Sequence, residues 1–352
     1  MSGVTFALAS AALFGASAPF AKLLVGQVDP WLLAGLLYLG AGIGLAVARR
    51  LLRRGAAQSA EAPLRRSALP WLAAVILFGG VLGPVLLMLG LSRTSGAAAA
   101  LLLNLESLAT LAIAWLVFRE NVDRRILLGA LAILAGAVLL SWSGRGAGLA
   151  WGALLIAGAC LAWGLDNNLT RKLAGADPVQ IAMLKGLVAG PVNLALALAQ
   201  GAALPDAAQV AGALVVGFLG YGASLVLFIL ALRHLGTART GAYFATAPFV
   251  GALLAIPLLG EPLTLQLTVA GGLMALGVWL HLTERHEHDH AHEAVEHEHR
   301  HLHDEHHGHA HGPGDPAGEP HSHRHRHAPL VHRHPHFPDL HHRHGHGSSG
   351  AS

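Results

Sequence analysis

Charge is scarce in this chain. Asp, Glu, Lys and Arg make up 12% of its 352 residues, about half the ~25% usual in a soluble domain. Cysteine is almost absent. Cys160 stands alone inside an apolar run, which rules out a disulfide framework within one chain and reads as a small buried hydrophobe. Polar faces at a helical period are missing too, and without them the apolar segments cannot form a soluble helical bundle. No Walker-type phosphate loop appears, which argues against a primary pump, and no nucleophile–base constellation supports an enzyme. The first apolar run, residues 4–25, has no basic segment before it and is longer than a signal-peptide core, so it reads as a retained span. The basic residues sit in short gaps and not along one face, so the alkaline balance says nothing about nucleic acid.

What is present is apolar residue, 53% of the chain. Runs long enough for a hydrocarbon core, about 20 residues each, recur at roughly 4–25, 30–48, 69–91, 95–118, 126–142, 148–169, 178–199, 208–232, 237–259 and 264–283. The gaps hold turn and charge residues, such as Asp29-Pro30, Arg119–Arg125 and Glu261-Pro262. Abundant Gly and Ala suit helices that approach closely where lipid gives no hydrophobic drive between them. The sequence therefore predicts an all-α polytopic membrane protein with ten transmembrane helices. With a cytoplasmic N-terminus, the inward loops hold about twelve basic residues, including Arg49, Arg50, Arg53, Arg54, Arg65 and Arg66, against Arg93 and Arg145 outside. This bias places both termini in the cytoplasm and the protein in the inner membrane.

The two halves repeat. The stretch from Leu91-Ser92-Arg93 to Val117-Phe118-Arg119-Glu120 matches that from Leu232-Arg233-His234 to Leu258-Leu259-Gly260-Glu261, at an offset of 141 residues. Gly136 pairs with Gly277 at the same offset, and Gly15 with Gly164 and Lys22 with Arg171 at an offset of 149. Five spans per repeat is an odd number, so the halves are expected as two inverted five-helix repeats, a recurring device of secondary transporters. The layout, the Glu that closes each fourth span (Glu120, Glu261), the glycine signature from Leu128-Gly129-Ala130 through Ala135-Gly136, and the Tyr243…Pro248 arrangement resemble the EamA-type members of the drug/metabolite transporter superfamily. The first half departs from that arrangement, with Ser107 where Pro248 aligns. The resemblance covers residues 1–142 as one EamA-type repeat and 148–283 as the second. It implies a transporter and is uninformative about cargo.

Ionisable residues within a span cost ~2.5–3.5 kcal/mol at a helix centre on insertion scales, and those that persist usually face a cavity or a partner. Glu106, with Asn104 beside it, lies near the middle of the fourth span. It reads as a proton or cation site on a central cavity, or as a hydrogen-bonded structural glutamate. Asp166, Asn167 and Asn168 follow one another in the sixth span, about 100° apart, so all three cannot line one cavity. Lys185 in the seventh span is placed to pair with Asp166, either structurally or as part of a gate. Tyr243 completes the candidate pathway. Lys22, Arg171 and Lys172, near helix ends, are expected to snorkel to the headgroups.

Residues 284–352 form a different region, holding 23 of the 25 histidines and 11 acidic against 6 basic residues. Neutral imidazole ligates zinc, nickel and cobalt. The low-complexity composition predicts a disordered cytoplasmic tail until metal binds. The candidate metal ligands are His286, His288, His290, His292, His297, His299, His301 and His303, where acidic residues are interspersed, in preference to the Arg-mixed segment 321–346.

The reading is a secondary transporter, an exporter of a small metabolite or organic compound, with a metal-binding regulatory tail. The runner-up is a divalent metal efflux permease (nickel, cobalt or zinc) with the tail as collector or sensor. A metal-sensing membrane protein that transports nothing is a third class. No cofactor is required, beyond nickel, zinc or cobalt bound by the tail. The expected partners are a small-molecule or ion substrate and the lipid bilayer, with no nucleic acid; a homodimer is left open.

Overall fold

The computed structural model describes residues 3–52, 64, 66–118, 124–142, 150–170, 172–173, 176–283, 287–292, 296–301, 321–326 and 330–335. Up to residue 283 the regular structure is helical. In chain order it comprises α1 (Gly3–Val25), α2 (Pro30–Leu52), α3 (Leu69–Val75), α4 (Gly83–Leu91), α5 (Gly96–Leu102), α6 (Leu105–Phe118), α7 (Arg124–Ser141), α8 (Trp151–Thr170), α9 (Pro178–Ala199), α10 (Ala207–Gly217), α11 (Ser224–Phe244), α12 (Ala247–Leu259) and α13 (Leu265–Leu282). A π-helical stretch, Ile76–Leu82, joins α3 to α4, and a second, Phe218–Ala223, joins α10 to α11.

Seven helical segments are long and apolar enough to cross a membrane: Gly3–Val25, Pro30–Leu51, Arg66–Leu91, Gly96–Val117, Arg124–Ser141, Pro178–Ala199 and Ala207–Leu232. Ala247–Leu259 and Leu265–His281 are apolar but shorter. The ten runs of the sequence thus meet that standard in seven cases. The sixth run, α8, carries the polar Asp166-Asn167-Asn168 triplet. The ninth is divided by a turn at 245–246. Large apolar side chains such as Leu116, Leu128, Trp151 and Leu253 lie exposed on the outside of the bundle, as a multi-pass membrane protein requires.

Helix starts follow from local chemistry. In Asp29-Pro30 and Asp177-Pro178 the proline takes the first helical position, where its missing N–H costs nothing, and the aspartate caps the helix. Asp29 Oδ1 accepts from Trp31 N and Leu32 N at 2.9 and 3.1 Å, and Asp177 Oδ1 accepts from Val179 N and Gln180 N at 2.9 and 3.2 Å. Asp206 and Gln209 form a reciprocal capping box at the start of α10.

The eighth-to-ninth turn is hidden in α11, whose helical bonding runs unbroken from Ser224 to Phe244. The Phe228 and Phe244 rings lie 4.9 Å apart, yet sixteen residues of straight helix would separate them by ~24 Å. Packing along α1 agrees. Ser10 Oγ donates to Ser224 O at 2.8 Å, a Cβ on Gly3 would fall 2.7 Å from His234 Cβ, and one on Gly15 would run into Ala247 O. The chain therefore runs from Ser224 toward the Gly3 end of α1 and doubles back before Phe244.

The halves interleave. α2 packs along α9 and α7 along α13; α1 packs against α11 and α12, while α8 packs against α4 and α6. Close approach depends on glycine at the α2–α9 crossing, where a Cβ on Gly42 would lie 2.5 Å from Leu187 N and one on Gly186 would strike the Gly42 backbone. Lys22 does not snorkel. Its Nζ donates to Leu91 O and Thr94 O at 2.5 and 2.8 Å, closing the C-terminal end of α4 as a cation should. Lys172 sits with Nζ 3.7 Å above the Trp71 ring, while Arg171 lies outside the described residues. Glu261 accepts from Gly96 N and Ala97 N at 2.5 and 2.8 Å, satisfying the first free N–H groups of α5; its counterpart Glu120 also lies outside the described residues.

The tail was expected to lack regular structure, yet its described residues form four strands: β1 (Glu287–His292), β2 (Glu296–His301), β3 (His321–Arg326) and β4 (Leu330–Pro335). β1 pairs antiparallel with β4, and β2 with β3. The His-x-His-x alternation has the period of a strand, a pattern that composition alone does not weigh.

Candidate functional site

Proline makes the site possible. Pro84 in α4 has no N–H to offer the carbonyl four residues back, and its ring crowds that carbonyl. That residue is Gly80, in the π-helical stretch, and Gly80 O instead accepts from Asn193 Nδ2 at 2.9 Å. The neighbouring Gly79 O accepts from both Tyr38 OH and Trp163 Nε1. Three polar side chains from α2, α8 and α9 thus converge on one interrupted helix. Such π-type interruptions concentrate at functional sites.

Beside this junction lies a cavity of about 490 Å³, its open mouth included. One wall is aromatic. Phe14 is its hub, with ring centroids 5.9 Å from Trp163, 5.9 Å from Tyr221 and 5.3 Å from Phe244, and Tyr38 stands 5.4 Å from Tyr221. The other wall is polar, formed by Glu106, Asp166, Asn167 and Lys185. Ser224 lies at the edge, tied to Ser10 of α1.

Lys185 Nζ and Asp166 Oδ2 form a buried ion pair, and Thr170 Oγ1 donates to the other oxygen of Asp166 at 3.2 Å. Each charge offsets the cost of burying the other. Glu106 has a neutral partner: Asn167 Nδ2 donates to its Oε1 at 2.8 Å. The polar wall therefore carries two carboxyls and one ammonium among the described residues. Tyr221 OH, in the aromatic wall, is buried and has no hydrogen-bond partner there. An aromatic wall facing a carboxyl suits a guest with an apolar or aromatic body and a polar end, and the carboxyl can also take and release a proton.

Glu106, Asp166, Asn167 and Lys185 line the cavity; Asn104, Asn168 and Tyr243 do not. Asn104 sits at the turn between α5 and α6, where its Nδ2 donates to Leu101 O at 2.9 Å. Asn168 is one step of about 100° round the helix from Asn167, and its Nδ2 donates to Gly164 O at 2.8 Å and Thr110 O at 3.3 Å. Tyr243 is likewise one step off, and Phe244 takes the cavity position. The aromatic residues were not singled out from sequence. Tyr38 and Tyr221 were findable, since a phenol within an apolar run needs a partner as a carboxyl does; the phenylalanines gave no contrast.

Among the described residues no group of three or more His, Cys, Asp or Glu could hold a metal ion. His234 stacks on Phe6 at 5.7 Å, away from the cavity lining. Of the tail ligands, His286 and His303 lie outside the described residues. His288, His290 and His292 fall in β1, and His297, His299 and His301 in β2.

The model of the EamA-like transporter family matches residues 1–142 and again 150–283. A protein of Methanothermobacter thermautotrophicus described as an uncharacterized transporter is 30% identical over 282 residues, covering 76% of this chain and 82% of its own length. An uncharacterized protein of Pseudomonas aeruginosa is 34% identical over 177 residues, 50% of this chain and 61% of its own length. A solved crystal structure, 22% identical, covers 80% of this chain and 99% of its own with a TM-score of 0.61. That last likeness concerns the fold alone.

Proposed function

The chain belongs to the EamA-like transporter family, and on that premise we propose that it is a secondary transporter exporting a small organic metabolite across the inner membrane. The observation that carries this reading is the cavity, whose aromatic wall faces Glu106 with Phe14 as hub. Ligand sites are mostly apolar clefts with a few convergent polar groups, and this one has that character. In the working cycle the aromatic faces hold the body of the cargo, and Glu106 meets its polar end or exchanges a coupling proton. Two inverted five-helix halves of ten spans in all, with both termini cytoplasmic, alternate access to the cavity from either side. The tail binds nickel, zinc or cobalt and regulates.

The rival reading, divalent metal efflux, needs several ligands on the pathway. Glu106, Asp166 and His234 were its candidates. Asp166 is committed to Lys185 and His234 is not in the cavity lining, so the pathway itself favours an organic cargo.

The test is transport by purified protein in proteoliposomes. A panel of small organic compounds is first screened by thermal shift, and the hits are assayed by counterflow beside zinc, nickel and cobalt. The expected result is counterflow of an organic compound, at a rate unchanged in a version ending at Glu284. Accumulation of a metal with no organic hit would replace this reading with metal efflux.

A further inference from the structure

In an antiparallel pair, facing residues lie on the same side of the ribbon, and alternate residues lie on opposite sides. The register of β2 with β3 sets His297 against His325, His299 against His323 and His301 against His321. All six positions fall on one face. The intervening positions fall on the other, where Glu296 faces Arg326 and Glu298 faces Arg324. β1 and β4 repeat the scheme: His288 faces His334 and His290 faces His332 on one side, and Asp289 faces Arg333 on the other. The sequence already holds this complementarity. Acidic residues alternate with histidine in the outgoing stretch, and arginine alternates with histidine in the returning one.

We propose that the tail holds zinc, or a chemically similar divalent metal, between its two histidine segments, on the all-histidine face of the β2–β3 ribbon. This rests on the reading of the tail as metal-binding and departs from the sequence expectation in where the ligands come from. Metal was expected to settle in the acidic segment alone, with carboxylates beside the imidazoles. The register gives the acids a different task, since each faces an arginine and the pairs zip the two segments together. Two adjacent rungs, 297/325 and 299/323, set four histidine positions at the corners of a patch ~5 Å across and ~7 Å along the strands. Zinc takes four ligands tetrahedrally, with nitrogen at ~2.0–2.1 Å. Four imidazoles from such a patch can meet one ion, whereas one short extended strand supplies only its i, i+2 neighbours. Metal binding and strand pairing are then one event, because the ligand set exists only when the segments are paired.

The experiment uses the full-length protein in detergent, titrated with zinc against a chromophoric chelator at neutral pH; the version ending at Glu284 supplies the background. Three variants are compared: H321N/H323N/H325N, E298R, and E298R with R324E. The triple variant removes no histidine from the acidic segment. It is expected to lose at least the ~10-fold in affinity that loss of even an outer-shell partner costs a metal site. E298R is expected to weaken binding ~2–5-fold by setting like charges across the strands, and R324E to restore it by re-forming the pair in reverse. Wild-type affinity in the triple variant, or a double variant no better than E298R, would overturn the two-segment site while leaving a metal-binding tail. Full-length protein that takes up no more zinc than the truncated one would remove both.

Discussion

At the residue scale, two carboxyls on one wall have opposite roles, set by their partners. Asp166 is neutralised by Lys185, whereas Glu106 is met only by the amide of Asn167 among the described residues. The Glu106 carboxylate is therefore the one free to act. Glu106→Gln keeps the shape and the bond to Asn167 and removes the charge. A charge-assisted hydrogen bond contributes ~1.5–3 kcal/mol, so transport should fall ~10–100-fold with membrane insertion intact. An unchanged rate and pH profile in proteoliposomes would refute a role in cargo or proton binding. For the pair, Lys185→Met leaves a buried aspartate whose described partner is Thr170. That should cost about 3–5 kcal/mol and lower the melting temperature in detergent. Asp166→Asn combined with Lys185→Met should melt above either single variant, because no buried charge is left unpaired. A double variant that melts below both singles would show that the pair contributes more than mutual neutralisation.

At the element scale, the interrupted helix from α3 to α4 matters because side chains from three other helices fasten to it. Gly79 lies where its backbone nearly touches the ion pair: an added Cβ would fall on the Asp166 carboxylate and 2.5 Å from Lys185 Nζ. Gly79→Ala should therefore push the pair apart at a cost of about 1–3 kcal/mol, the usual range for overpacking, and lower transport as well. Gly158→Ala is the control. Its Cβ would meet only Leu86 Cδ1, at an ordinary 3.4 Å, and alanine is the better helix former, so stability should hold or rise. Equal losses in the two variants would mean that the Gly79 approach has no special weight. Much at this scale was legible beforehand. Asp-Pro marked two helix starts, and the cost of burying charge singled out Glu106, Asp166 and Lys185. The π-helical stretches were not legible, because Pro84 signals a kink without saying which side chains take up the released carbonyls. The fold-back within α11 was better placed by the Arg233–Gly236 gap in the sequence than by the helical bonding, since a tight reversal can keep local i→i+4 bonds.

At the scale of the whole molecule, contacts between helix ends test the number of crossings by parity. Residues on the same side of a bilayer must be separated by an even number of spans. Counting ten spans from sequence, four lie between Arg49 and Asp177, which form an ion pair at 2.8 Å. Six lie between Gln27 and Gln209, joined at 3.1 Å, and six between Arg125 and Thr283, joined at 3.0 Å. Four separate Leu139 from Gln266, whose Nε2 donates to Leu139 O at 2.6 Å. Eight lie between Gly3 and His234, which are in direct contact. Every count is even, which supports ten spans even where single helices are short. Parity does not say which side is which. That comes from the basic residues, and Lys22, on the side assigned to the periplasm, is no counterweight because its charge is spent on the carbonyls of Leu91 and Thr94. Reporter fusions after Ser143 and after Glu284 are therefore expected to read periplasm and cytoplasm. Five spans precede the first point and ten the second, so the two must differ. The same compartment at both would remove the odd number of crossings that inverts one half against the other, and with it the basis for alternating access by exchange of the halves. Opposite compartments in reversed order would keep the inverted halves, turn the molecule over and place the histidine tail outside the cytoplasm, where it could not sense cytosolic metal.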